Sequence, residues 1–178
     1  VNLRQMEEAY MSRLADKVPG VGASQRVYTT FLNKLRADSF DAMVASLSKN
    51  KAATPEEMKA IANYINVATG RGNLWMQENA LVGLNTVFFA PRLVASRFNL
   101  LAGQPLWRGT ARGRKQIAKE YARFLAGVGT VLSLAYMMGA EVETDPRSAD
   151  FAKIKIGNTR LDPLAGLAQV ITLIARVT

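Results

Sequence analysis

The chain has 178 residues, a formal net charge of +9, and neither cysteine nor histidine. This length is enough for a domain with a buried core, and the missing residue types exclude disulfides, thiolate nucleophiles, Cys/His zinc sites and imidazole bases. Because hydrophobic residues make up 49% of so basic a chain, we expect part of its surface to meet a membrane or a large partner.

The first 18 residues predict an amphipathic helix. Apolar residues recur at steps of three and four from Leu3 to Val18, and Pro19-Gly20 ends the pattern. Ser24 is the predicted N-cap of a second, long helix over residues 25–49. These elements begin a predicted amphipathic helical half that covers residues 1–72.

The third predicted helix begins at Thr54, a capping hydroxyl. Pro55 occupies the first helical position and Glu57 the third, which is the pattern of a capping box. Gly70 and Gly72 are predicted to end this helix, because glycine readily adopts the left-handed conformation that closes a helix.

The second half, residues 73–178, is more basic and more apolar. The segment 81–101 is apolar nearly all round, and Pro91 is predicted to divide it into two helices. A basic helix follows Trp107 and continues into the uncharged segment Phe124–Ala140. Two-residue alternation around Gly157-Asn158 then predicts a short β-hairpin near residues 153–162, with Ile156 facing Thr159 and Ile154 facing Leu161.

A last apolar helix is predicted directly after Asp162-Pro163, which would supply its cap and its first-turn proline. The predicted fold class is therefore mainly α, a multi-helix assembly with one short hairpin. Its apolar pattern continues to Thr178, so we expect the chain to be a module of a longer polypeptide, with no signal peptide to assign.

Most of the positive charge lies between Arg71 and Arg123, where nine basic residues stand against two acidic ones. Clustered arginine and lysine gain affinity for DNA or lipid headgroups by releasing counterions, although such a cluster is equally often a solvated helix face. The candidate phosphate-binding residues are Arg108, Arg112, Arg114, Lys115, Lys119 and Arg123.

The segment Phe124–Ala140 is either a marginal membrane span or a central helix of a bundle. Its length corresponds to roughly 25 Å of helix, somewhat short of the roughly 30 Å of bilayer hydrocarbon. Basic residues before it and acidic residues after it would place its N-terminal end on the cytoplasmic side. The candidate membrane or oligomer contacts are Phe124, Val128, Leu132 and Tyr136 here, and Leu164, Leu167, Ile171 and Ile174 in the last helix.

No catalytic residue, cofactor or metal site is predicted. Ser46 and Lys49 have the spacing of a Ser/Lys catalyst, but such a catalyst needs a buried lysine and Lys49 lies at a polar helix end. The aspartates Asp145, Asp150 and Asp162 match no calcium or magnesium loop, and the Asp-Pro pairs are better explained as a turn and a helix cap.

Four strings carry a resemblance to a known family: NYINVATGRGN (63–73), FFAPRLVASRFNLL (88–101), KEYAR (119–123) and, most specifically, DPRSADFAKIKIGNTRLDPLAGLAQ (145–169). Over roughly the latter two thirds of the chain, they resemble the C-terminal helical module of large phage polyvalent or internal virion proteins, which are ejected with the genome. The resemblance implies a non-enzymatic module, since enzymatic work in such proteins is usually carried by other parts of the polypeptide.

On this basis we expect a structural module that helps form a trans-envelope conduit for DNA. Its expected partners are further copies, other virion proteins of the capsid core, portal or tail, packaged DNA and, after ejection, the host inner membrane. We expect it in the virion interior and then in the host envelope. Two alternatives stay open: a nucleic-acid-binding module that organises packaged DNA, and an accessory domain of a virion-borne enzyme whose active site lies elsewhere.

Overall fold

Helices account for most of the described structure, a computed structural model that covers residues 19–71 and 91–178. Within these ranges lie five α-helices, one 3-10 helix and a three-stranded antiparallel sheet. The helices are α1 (Val21–Leu47), α2 (Pro55–Ala68), α3 (Pro91–Leu101), α4 (Ala111–Met137) and α5 (Leu167–Val177). This confirms the predicted mainly α fold with a short hairpin.

The chain forms two compact units, Val1–Ile117 and Ala118–Thr178, and helix α4 has residues in both. The predicted division near Asn73 lies outside the described residues. The predicted helix over residues 3–18 and the first part of the apolar segment, residues 81–90, also lie outside them.

Helix α1 begins earlier than predicted. Gly20 adopts a left-handed conformation with φ of 89°, and Val21 is the first helical residue. The backbone N–H of Ser24 donates to the Gly20 carbonyl oxygen at 2.9 Å, so Ser24 lies inside the first turn. The prediction of Ser24 as the cap was therefore wrong, because the glycine already turns the chain into the helix before the serine is reached.

Helix α2 begins at its predicted cap and ends before Gly70 as predicted, whereas Gly72 lies outside the described residues. The Thr54 hydroxyl accepts from the Glu57 N–H at 3.3 Å, and the Glu57 carboxylate accepts from the Thr54 N–H at 2.9 Å. Beyond Ala68, Gly70 is left-handed with φ of 92°, and the Arg71 N–H donates to the Asn66 carbonyl oxygen at 2.7 Å. These bonds form a complete capping box and a Schellman-type end.

Helix α2 also lies at the centre of the first unit, where it contacts α1, α3 and the 3-10 helix Gln104–Trp107. Ile61 on α2 and Ile117 on α4 are both fully buried. Arg36 of α1 is buried as well and donates to the Thr69 hydroxyl at 2.8 Å and to the Thr69 carbonyl oxygen at 3.0 Å. The last four carbonyls of a helix have no partner within the helix, and Arg36 provides a donor at this end of α2.

The sheet of the second unit has the strand order β1 (Glu141–Val142), β2 (Ile154–Ile156) and β3 (Thr159–Leu161). Ile156 pairs with Thr159 and Ile154 with Leu161, which confirms the predicted hairpin and its register. Strand β1 was not predicted, because two residues are too few to show a two-residue alternation.

Helix α5 begins at Leu167, later than predicted. The Asp162 carboxylate accepts from the N–H groups of Leu164 and Gly166, each at 2.9 Å, and Gly166 is left-handed with φ of 80°. Asp162 therefore closes a turn, and the prediction that it caps the last helix was wrong. The Thr172 hydroxyl of α5 donates to the Ser148 carbonyl oxygen at 3.1 Å and holds the helix on the turn before β2.

Candidate functional site

The start of helix α4 is fixed to the start of helix α2 through Glu57, which is 3% exposed. The Thr110 hydroxyl accepts from the Gly113 N–H at 3.1 Å, as an N-cap does, and donates to the Glu57 carboxylate at 2.9 Å. A Cβ atom at Gly109 would lie 2.8 Å from the Ala60 Cβ. Glycine at this position therefore lets the two helix starts approach closely.

Arg112, one of the predicted phosphate-binding residues, joins the same junction. Its guanidinium donates to the Glu57 carboxylate and to the Ala52 carbonyl oxygen, both at 3.3 Å, and also to the carbonyl oxygens of Leu47 and Lys51. Because these acceptors lie at the end of α1, in the turn that follows it and on α2, Arg112 joins three segments of the fold, and its side chain is 32% exposed.

The same contacts change the acidity of Glu57. Its hydrogen bond from the Thr54 backbone N–H contributes most to holding its pKa below the ordinary value, with smaller contributions from the Thr110 hydroxyl and the Arg112 guanidinium. Burial acts in the opposite direction but does not outweigh them. Glu57 is therefore a structural carboxylate that stabilises the junction in its charged form.

The other predicted phosphate-binding residues are exposed. Arg108, Arg114 and Lys115 belong to the first unit, and Lys119 and Arg123 to the second. The Arg123 guanidinium is 2.6 Å from the Glu120 carboxylate, with 67% of the arginine side chain exposed. Ion pairs at such exposure contribute little, so Arg123 can exchange this partner for another anion at small cost.

Comparison with protein-family models, with curated proteins and with solved structures finds no match for this chain.

The apolar part of α4 is only partly covered. Of the four predicted contact residues, Val128 and Leu132 are half-buried, whereas Phe124 is 39% and Tyr136 72% exposed. A second set of residues, which shares Phe124 with the predicted set, is exposed at every position. We call it the α4 seam, and it consists of Phe124, Gly127, Val131, Leu134 and Met138.

The apolar spacing of the α4 seam is visible in the sequence, but the sequence does not show that this face is the exposed one. The seam follows the 3-4 spacing that places residues on one helix face. The half-buried residues, which include Val128 and Leu132, follow the same 3-4 spacing, because the segment is apolar all round. Periodicity therefore did not distinguish the covered face from the uncovered one.

In the last helix, two of the predicted contact residues are internal. Leu164 and Leu167 are buried in the second unit, and Leu164 precedes the helix. These two predicted contact residues therefore belong to the core of the unit and not to its exposed surface. Ile171 is half-buried, and Ile174 is 44% exposed.

Across residues 19–71 and 91–178, no helix is long and apolar enough to cross a membrane. This finding runs against the membrane-span alternative for Phe124–Ala140. The helix ends at Met137, so its uncharged part, from Phe124 to Met137, rises only about 21 Å, compared with about 30 Å of hydrocarbon.

The acidic residues of the second unit have structural partners. Asp150 lies 2.9 Å from the Lys153 ammonium and 2.8 Å from the Arg160 guanidinium, and the Lys153 hydrogen bond is the main reason why the pKa of Asp150 is lowered. Glu141 of β1 lies 2.6 Å from Lys155 of β2. These pairs hold the hairpin and the preceding turn together at the surface.

Proposed function

We propose that this chain is a non-enzymatic structural module of a phage internal virion protein, ejected with the genome, that helps form a trans-envelope conduit for DNA. The proposal combines the resemblance of residues 63–169 to such proteins with one structural observation. That observation is the uncovered apolar surface that extends along helix α4 from Phe124 to Met138, the residue directly after the helix.

Such a surface supports an assembly role on energetic grounds. Leu125 is 63% and Leu134 53% exposed on a helix that has no charged residue beyond Arg123, and Met138, directly after the helix, is 87% exposed. Removing apolar area from water gains roughly 25 cal/mol per Å², and an exposed patch of this kind marks a site that another surface covers. In the virion, further copies of the chain and neighbouring virion proteins would bury this surface.

Fractionation of the phage or prophage that encodes the chain tests this function. Peptides of the chain should be recovered from purified DNA-filled particles and, after DNA delivery, from the host envelope fraction. A capsid protein that stays outside the cell serves as the control for contamination. Recovery of the chain from lysed host cells but not from particles would refute the proposal.

A second candidate function, binding of packaged DNA, is favoured by the exposure of Arg114 and Lys115 at the start of α4. Non-specific DNA binding weakens with salt, and the slope of log affinity against log salt changes by about 0.9 for each phosphate contact. The variants Arg114→Gln and Lys115→Gln should each reduce this slope. Lys34→Gln is the matched control, because it removes the same charge from an exposed position on α1. Equal slopes in all variants would refute DNA binding through these residues.

A further inference from the structure

The α4 seam has the geometry of a helix-pairing surface within the second unit. Its residues are spaced by three and four positions, as in the core of a coiled coil. The exposed fractions are 39% for Phe124, 47% for Val131, 53% for Leu134 and 87% for Met138. The seam is thus a continuous apolar row that the described part of the chain leaves open.

Gly127 lies in the middle of this row, and no contact within the described chain explains why a glycine occupies this position. Glycine destabilises a helix interior relative to alanine, and a Cβ atom at this position would meet nothing within 4 Å. Packing inside the chain therefore does not require a glycine here. A large side chain from another molecule, seated over position 127, does require the space.

The charges at the two ends of the apolar part of α4 are opposite in sign. Lys119 and Arg123 are exposed before it, whereas Glu143 and Asp145 are exposed after it. Glu141, also exposed, already lies 2.6 Å from Lys155. A parallel pair of such helices would place like charges side by side. An antiparallel pair places the basic residues before each helix segment beside the acidic residues that follow the other. Attraction between opposite charges therefore favours the antiparallel orientation.

We propose that the α4 seam pairs antiparallel with the same seam of a second copy of this chain. In the register that best matches size and charge, Val131 lies opposite the partner's Leu134, and Gly127 receives the partner's Met138. Arg123 then lies near the partner's Glu143. This pairing rests on the proposed function, for which it specifies the partner of the uncovered surface and the orientation of the contact.

Cysteine cross-linking tests the register, and the chain has no native cysteine to interfere. Gly127→Cys and Met138→Cys are purified separately and oxidised alone or mixed. The mixture should form a covalent heterodimer, whereas each variant alone should not, because equal positions lie about 16 Å apart along the antiparallel pair. The matched control is Gly129→Cys mixed with Met138→Cys, since Gly129 is equally open but lies off the seam.

Each alternative outcome overturns the pairing. Cross-linking of each variant with itself would indicate a parallel pair, and cross-linking of the control mixture to the same extent would indicate non-specific contact. If the chain instead remains monomeric and floats with phosphatidylglycerol-containing vesicles, the seam binds lipid and not a second copy.

The alanine variants provide a test that does not depend on oxidation. Gly127→Ala and Gly129→Ala gain the same helix propensity, so both variants should fold. Sedimentation should show at least a tenfold higher dimer dissociation constant for Gly127→Ala and an unchanged constant for Gly129→Ala. Equal constants would overturn the pairing. This measurement uses the purified chain in solution, so its result is independent of whether the chain is recovered from virions. Absence of the dimer would overturn the pairing alone, and absence of the chain from virions would overturn the proposed function.

Discussion

Replacing Arg112 with glutamine tests whether this arginine serves the fold and not an outside ligand. In the native chain the guanidinium donates to the carbonyl oxygens of Leu47, Lys51 and Ala52, which belong to the end of α1 and the turn after it. Glutamine is shorter and carries a single NH2 group, so it cannot reach all three acceptors at once.

The expected loss follows from these contacts. A hydrogen bond contributes about 0.5–1.5 kcal/mol net, so three of them give an upper range of about 1.5–4.5 kcal/mol. The Arg112 side chain is 32% exposed, and water can replace part of what is lost. Without counting the ion pair with Glu57, we expect Arg112→Gln to lower the free energy of unfolding by about 2 kcal/mol.

Urea unfolding followed by far-UV circular dichroism measures this change. Arg114→Gln is the matched control, because it removes the same side chain two positions away on an exposed face of α4, and it should stay within about 0.5 kcal/mol of the native chain. Equal stability of the two variants would refute the structural role of Arg112, as would a larger loss in Arg114→Gln.

Three further predictions concern the fold. Ile61→Ala removes a fully buried side chain and should lower the free energy of unfolding by about 2–5 kcal/mol in urea titrations. Ile156→Ala, at a 59% exposed position, should lower it by less than about 1 kcal/mol. Similar losses in the two variants would show that burial does not determine the loss of stability. The pKa of Glu57 is lowered by folding, so its contribution is complete above the ordinary value of 4.5 and is lost as the pH falls through the folded value. Glu57→Gln should therefore flatten the acid side of the stability profile, and an unchanged profile would contradict this. Gly70→Ala should destabilise the chain more than Gly20→Ala, as measured by thermal unfolding. Both positions have φ near +90°, but only at position 70 would the new Cβ approach a side-chain carbon of α3, at 3.0 Å; equal effects would argue against this contact.

Several elements were predictable because neighbouring residues alone determine them. The capping box of Thr54 and Glu57 lies within one helical turn, and the end of α2 at Gly70 depends on the conformational freedom of one residue. The hairpin register around Gly157-Asn158 follows in the same way from a two-residue turn. In each case the partner groups lie within a few residues of one another in the sequence.

The candidate site was less predictable, because its residues meet across long sequence separations. Arg112 and Arg114 are the same residue type on one helix. Among the described residues, however, only Arg112 of the two has acceptors more than 50 residues away, on α1, in the following turn and at Glu57. Likewise, the sequence of Phe124–Ala140 specifies an apolar helix but not which of its faces is covered. Burial and charge partners depend on which segments the tertiary structure brings together, and local sequence does not contain that information.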